Sequence, residues 1–151
     1  MSEMIVQGRP FTDVGRFVYK RQAGGGIATY KPQDRYLKAK STPLHRYGAG
    51  EFCSFNVPGA PLTAGVYLMR IGDDIMYVGE AQCLRDRMDA CGHISPKNCY
   101  VDGRQTNCRI NKLILDAARR AELVHVRFHE CDDRKRVESD LIAALSPRWN
   151  R

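Results

Sequence analysis

The chain has 151 residues and a formal net charge of +7, with 43% hydrophobic and 27% charged residues. That is ordinary globular composition, long enough for one core with an appended arm, and it argues against wholesale disorder. No apolar run is long enough to span a bilayer and the first residues lack the apolar centre of a secretory leader, so a cytoplasmic protein without a membrane span is expected.

The charge is uneven along the chain. Residues 1–60 hold nine Lys and Arg against four Asp and Glu. A basic excess favours a polyanionic partner, with nucleic acid ahead of an acidic membrane surface. This segment has little periodicity and contains Gly24-Gly25-Gly26, which marks a loop or hinge. A short helix is expected from Arg35 to Lys40. Its basic residues interleave with Tyr19, Tyr30, Tyr36 and Tyr47, a pattern that suits backbone tracking with base stacking and equally suits an irregular cap on a core.

From Ala64 the signals sharpen. Val66 to Ile71 is β-branched and aromatic, Gly72-Asp73-Asp74 is a turn, and Ile75 to Val78 is a second strand, which together predict a hairpin. Leu84 to Cys91 reads as a short helix, and Gly92 to Gln105 as a loop. Ile110, Leu113, Ile114, Ala117 and Ala118 fall three and four apart, which predicts a helix over about 107–121. Val124, Val126 and Phe128 alternate with His125, Arg127 and His129 as in a half-buried strand. Asp132 or Asp133 caps a last helix carrying Val137, Leu141, Ala144 and Leu145, and Ser146-Pro147 ends it. The order predicts an α/β (α+β) domain over residues 61–151, a sheet of about three strands flanked by helices, preceded by an irregular basic arm over 1–60.

Six cysteines without a leader read as reduced thiols. Cys91, His93, Cys99 and Cys108 are spaced as in none of the standard zinc patterns. His93, His125 and His129 read as surface residues.

On five ordered elements the chain resembles the GIY-YIG endonuclease family. They are Gly65-Val66-Tyr67, Tyr77-Val78-Gly79, Leu84-Arg85-Asp86-Arg87, Glu138 early in a helix that continues Leu141-Ile142, and Pro147-Arg148-Trp149-Asn150. Thr106-Asn107, opening a helix, is similar to the restriction-enzyme-like branch. The resemblance covers about residues 64–150. Glu80 departs from it, standing where many members carry a polar or basic residue and adding negative charge if it faces the site.

The resemblance implies a DNA endonuclease that hydrolyses phosphodiester bonds with Mg²⁺ or Mn²⁺. It assigns catalytic roles to Tyr67, Tyr77, Arg87, Glu138 and Asn150, with Glu138 as metal ligand. Magnesium keeps several waters and often uses a single protein carboxylate. A guanidinium holds a phosphate through its planar fork, and a tyrosine can orient a water. Asn150 is expected to bond the framework near Glu138. DNA contacts are expected from Lys20, Arg21, Lys38, Lys40, Arg46, Asn107, Arg109 and Lys112, with double-stranded DNA as partner. A double-strand break by one site per chain implies a homo-oligomer or successive nicks. Taken singly, each residue has a plainer role: a packed tyrosine, an exposed arginine, or Glu138 paired with Arg134 or Lys135. The alternatives for the whole chain are a noncatalytic nucleic-acid-binding module on the same fold and a protein-interaction domain.

Overall fold

The computed structural model describes residues 3–36 and 41–150. In chain order its strands are β1 (Glu3–Val6), β2 (Arg9–Arg16), β3 (Val18–Tyr19), β4 (Thr29–Tyr30), β5 (Phe52–Cys53), β6 (Phe55–Asn56), β7 (Gly65–Ile71), β8 (Asp74–Ala81) and β9 (Val124–Glu130). Its helices are α1 (Leu84–Gly92), α2 (Gln105–Arg119) and α3 (Arg134–Leu145), with 3-10 turns at Pro32–Arg35 and Pro96–Cys99. The chain divides into two compact units, one of Met1–Val18, Val57–Met88 and Glu122–Arg151, the other of Tyr19–Asn56 and Asp89–Ala121.

The first unit is built on a five-stranded sheet in the order β1-β2-β9-β7-β8, antiparallel at every step. The hairpin of β7 and β8 turns at Gly72, whose φ of +59° suits a residue without Cβ. α3 lays Val137 and Leu141 against Val66, Leu68 and Val78, with Phe11 and Val6 completing that core. Ser146 ends the helix in the left-handed conformation just before Pro147.

Two of the five strands come from residues 3–16, where the sequence predicts irregular arm and a sheet of about three strands. Pro10, Asp13 and Gly15 hide the strand pattern, and the structure accommodates each. β1 and β2 pair from Val6↔Arg9 across a two-residue loop, with Gln7 and Gly8 both at positive φ, the geometry that twists with a hairpin. The register shifts between Asp13 and Gly15, where Gly15 N–H donates to the Asp13 carboxylate at 2.8 Å. That is a β-bulge, and it absorbs the two poor strand formers.

The second unit has a small core of Phe52, Ile94, Cys99, Tyr100 and Cys108, with Tyr30, Tyr36 and Tyr47 packed against it. Asn111 on α2 is fully buried. Its amide donates to the carbonyls of Cys53 and Cys91, both at 2.8 Å, and accepts from Cys53 N–H at 3.0 Å. A buried amide with these partners orients the backbone around it, where an unpaired one would be costly. A 3-10 turn at Pro32–Arg35 is started by proline at its first position; the short helix expected over 35–40 falls mainly on residues 37–40, which lie outside the described residues. No helix among the described residues is long and apolar enough to cross a membrane.

Candidate active site

The site is assembled along β8 in the first unit. Tyr67 on β7 stands directly opposite Gly79 on β8. A Cβ on Gly79 would lie 2.4 Å from both Cζ and Oη of Tyr67. The tyrosine ring therefore crosses bare backbone at Gly79, and its hydroxyl ends there. Gly65 is bare for a similar reason: a Cβ would come within 2.2 Å of the His129 carbonyl oxygen and 2.8 Å of the Phe128 ring. Tyr77 lies beside Tyr67 with ring centroids 6.0 Å apart. The two residues are 1% and 7% exposed, so their rings are packed and only local geometry sets where the hydroxyls reach.

One residue on from Gly79, the backbone N–H of Glu80 donates to the Glu138 carboxylate. Glu138 follows Val137, so it sits at the border of the face that α3 buries. Burial pushes its carboxyl pKa up, and the charge of Glu80 adds to this; the Glu80 N–H and the Arg87 guanidinium pull the other way. The Glu80 side chain does not stand alone. Arg134, one turn before Glu138, donates from Nε to its carboxylate at 2.9 Å, with the two side chains 25% and 22% exposed. Helical spacing alone pairs Arg134 with Glu138, whereas the structure pairs it with Glu80. The Glu80–Arg134 pair is not legible in the sequence; the (i, i+4) spacing of Arg134 and Glu138 is its only trace.

α1 delivers Arg87. The helix start is tied down by Leu84 N–H to Thr63 O at 3.0 Å and Arg85 N–H to Pro61 O at 3.1 Å. Arg85 also donates its Nε to Ala60 O at 2.9 Å. Leu84 and Met88 are fully buried, which fixes the rotation of the first turn and leaves Arg87 on its half-exposed side.

Asn150 uses both ends of its amide on one residue. Oδ1 accepts from Val78 N–H and Nδ2 donates to Val78 O, each at 2.8 Å. Trp149 N–H donates to Met76 O at 2.8 Å. The tail thus runs along the outer side of β8, an edge strand whose backbone groups would otherwise be open. Asn150 touches the framework one residue before Gly79.

The expected DNA contacts among the described residues all fall in the second unit. Lys38 and Lys40 lie outside the described residues. Lys20 is exposed in the second unit. Arg21 donates to Gly25 O at 2.9 Å, and the Arg46 guanidinium lies 5.0 Å from the Tyr47 ring centroid. Arg109 is half-buried on α2. Lys112 reaches the Ala49 carbonyl and lies 5.1 Å from the Phe52 ring centroid. Asn107 is 2% exposed and takes the Cys91 thiol at 3.8 Å. Its side chain is buried within the second unit.

Among the described residues no three His, Cys, Asp or Glu side chains gather as a metal cage. Glu138, with the neighbouring Glu80, is the carboxylate that could take a cation at this site.

No family model matches the chain, and no solved structure matches it. Among curated proteins, 87 residues, or 57% of the chain, are 36% identical to the UvrABC system protein C of Xanthomonas oryzae pv. oryzae, Xanthomonas euvesicatoria pv. vesicatoria and Xanthomonas axonopodis pv. citri. The matched stretch is 12% of the length of each of these proteins. The likeness is therefore to a small part of a much larger protein.

Proposed function

We propose that the chain is a DNA endonuclease of the GIY-YIG type, dependent on a divalent metal ion and acting on double-stranded DNA. One observation carries the reading. The Tyr67 hydroxyl and the Glu138 carboxylate converge on neighbouring backbone positions, Gly79 and Glu80, within the field of Arg87. The partial likeness to UvrABC system protein C and the net charge of +7 support it.

The residues fit a hard cation. Glu138 is half-buried and carries a carboxyl destabilised as an anion by burial and by Glu80, a surplus that a cation offsets. Glu80 is compensated by Arg134 at 2.9 Å, which leaves Glu138 as the natural ligand. Mg²⁺ or Mn²⁺, when bound, offsets charge on the phosphate and sharpens a water as nucleophile. Arg87 binds the scissile phosphate and stabilises the charge that builds on it. Tyr67 orients the attacking water from its hydroxyl at Gly79, and Tyr77 supplies a second hydroxyl beside it. Asn150 holds the edge strand that carries Gly79 and Glu80.

Supercoiled plasmid incubated with wild type and Glu138→Ala, with and without Mg²⁺, tests this. Nicked or linear product from wild type with Mg²⁺ alone is expected. Undiminished cutting by Glu138→Ala overturns it. DNA binding without any cutting by wild type turns the reading to the noncatalytic module.

A further inference from the structure

The second unit contains a cleft of about 450 Å³ that the reading above does not use. Four of its lining residues are Lys20, Lys31, Arg35 and His93, and none of its lining residues is acidic. They come from three separate chain segments. The backbone of Lys20 is fixed on both sides, its N–H on Ser54 O at 2.9 Å and its carbonyl accepting from Ala28 N–H at 3.0 Å. Lys31 and Arg35 flank the 3-10 turn at Pro32–Arg35, one turn apart. His93 donates from Nδ1 to the Asp89 carbonyl at 3.1 Å, since a carbonyl can only accept.

The cleft also has an apolar side. The Tyr30 hydroxyl accepts from Ile94 N–H at 2.6 Å, so the ring and Ile94 are held together as a fixed wall. Converging cations beside an aromatic wall suit a group that is anionic at one end and flat at the other. The volume lies in the range of small-ligand sites. A cleft of about 590 Å³ in the first unit makes the contrast: its lining includes Asp13, Glu130, Val14, Pro61 and Phe128 and no Lys, Arg or His. That cleft would repel a phosphate; the second unit's cleft attracts one.

We infer that this cleft binds a nucleotide, with phosphate against Lys20, Lys31 and Arg35 and base against Tyr30 and Ile94. A nucleotide within a DNA strand and a free nucleotide share this chemistry. The strand as source rests on the nuclease reading; the nucleotide site does not.

The test measures fluorescence anisotropy of a labelled short single-stranded DNA on the full chain. Wild type is compared with Lys31→Glu/Arg35→Glu and with Lys97→Glu/Arg104→Glu, a control that makes the same charge change outside the cleft. Binding weakened at least roughly ten-fold more by the cleft pair than by the control is expected, with a salt slope shallower by about 0.7 for each phosphate that is no longer neutralised. Equal weakening by both pairs overturns the inference. Competition by an unlabelled mononucleotide assigns the free nucleotide as a source; its failure against a strand that binds through the cleft assigns the strand. Plasmid cutting is followed in parallel. Mg²⁺-dependent cutting with cleft-independent binding sinks the inference and leaves the nuclease, whereas cleft-dependent binding without cutting leaves the cleft and sinks the nuclease. Tyr30→Leu provides an uncharged second variant, expected to weaken binding without changing the salt slope.

Discussion

Gly79 and Glu138 set the most exacting demands in the first unit, each for a different physical reason. Adding one methyl at Gly79 puts a carbon 2.4 Å from the Tyr67 ring and hydroxyl. Tyr67 is 1% exposed and has nowhere to withdraw without disturbing its neighbours. Gly79→Ala should lower stability by about 1–3 kcal/mol, the range for overpacking, read as a shifted urea midpoint with an unchanged slope. It should also remove cutting, because the hydroxyl that ends at Gly79 is displaced. An unshifted midpoint would mean the ring moves freely. Glu138 works against the fold. Its folded pKa lies above the ordinary value of 4.5, through burial and then Glu80, so between the two values the native state binds more protons than the unfolded state. Stability attributable to this group falls as pH rises from about 4.5 through the raised value and stays lower above it. Glu138→Gln, melted in the presence of EDTA, should match wild type at low pH and become the more stable protein as pH crosses that window. A variant that is less stable at neutral pH would show that the carboxylate is held by compensating bonds.

At the scale of elements, the edge strand β8 depends on a residue 72 positions later in the sequence. Asn150 meets both backbone groups of Val78. Asn150→Asp keeps the acceptor but sets a carboxylate oxygen against the Val78 carbonyl. It should cost about 1–3 kcal/mol, the penalty of an unmade buried bond, while Arg148→Ala nearby, on a long 3.9 Å exposed ion pair with Asp74, should cost little. Equal effects would deny Asn150 its bridging role. The same elements show what the sequence displays and what it conceals. The hairpin of β7 and β8, the strand β9 and the helices α2 and α3 are periodic over whole segments, so their type and order can be read directly. β1 and β2 are not, because a bulge and a positive-φ turn let Pro10, Asp13 and Gly15 sit in strands, and only tertiary pairing with β9 reveals them. For the candidate site, the motif glycines and tyrosines are readable as a pattern, and their steric interlock is not. Glu80 stands out in sequence, but its pairing with Arg134 depends on which face of α3 is buried. Asn107 reads as a DNA contact because its place near a helix start does not tell a buried amide from an exposed one.

At the scale of the whole molecule, the two units use cysteine differently. None of the six cysteines forms a disulfide. Cys53, Cys91, Cys99 and Cys108 are buried in the second unit, while Cys83 and Cys131 belong to the first and are partly exposed. In the second unit the thiols behave as small apolar groups with weak donors: Cys91 points at Asn107 at 3.8 Å and Cys108 at the Asn98 carbonyl at 3.3 Å. Burial pushes Cys53 up to about 12, so it carries almost no thiolate at neutral pH. The interaction between the neighbouring Cys99 and Cys108 thiols lowers the pKa of the first and raises that of the second, yet both are closed to reagent. Cys131 is raised as well, by burial and then by Asp133. The nucleophile in thiol alkylation is the thiolate, so access and pKa together order the reaction. Native protein treated with iodoacetamide and analysed by peptide mass spectrometry should label the partly exposed Cys83 and Cys131 ahead of the other four. The Cys131 rate should keep climbing above pH 9, because its folded pKa is above the ordinary value of 9.0. The remaining four should react only as the second unit opens, so their rate measures that opening. Comparable early labelling of Cys99 or Cys108 would mean that the second unit is open in solution, and the cleft built from its segments would then lack a fixed wall.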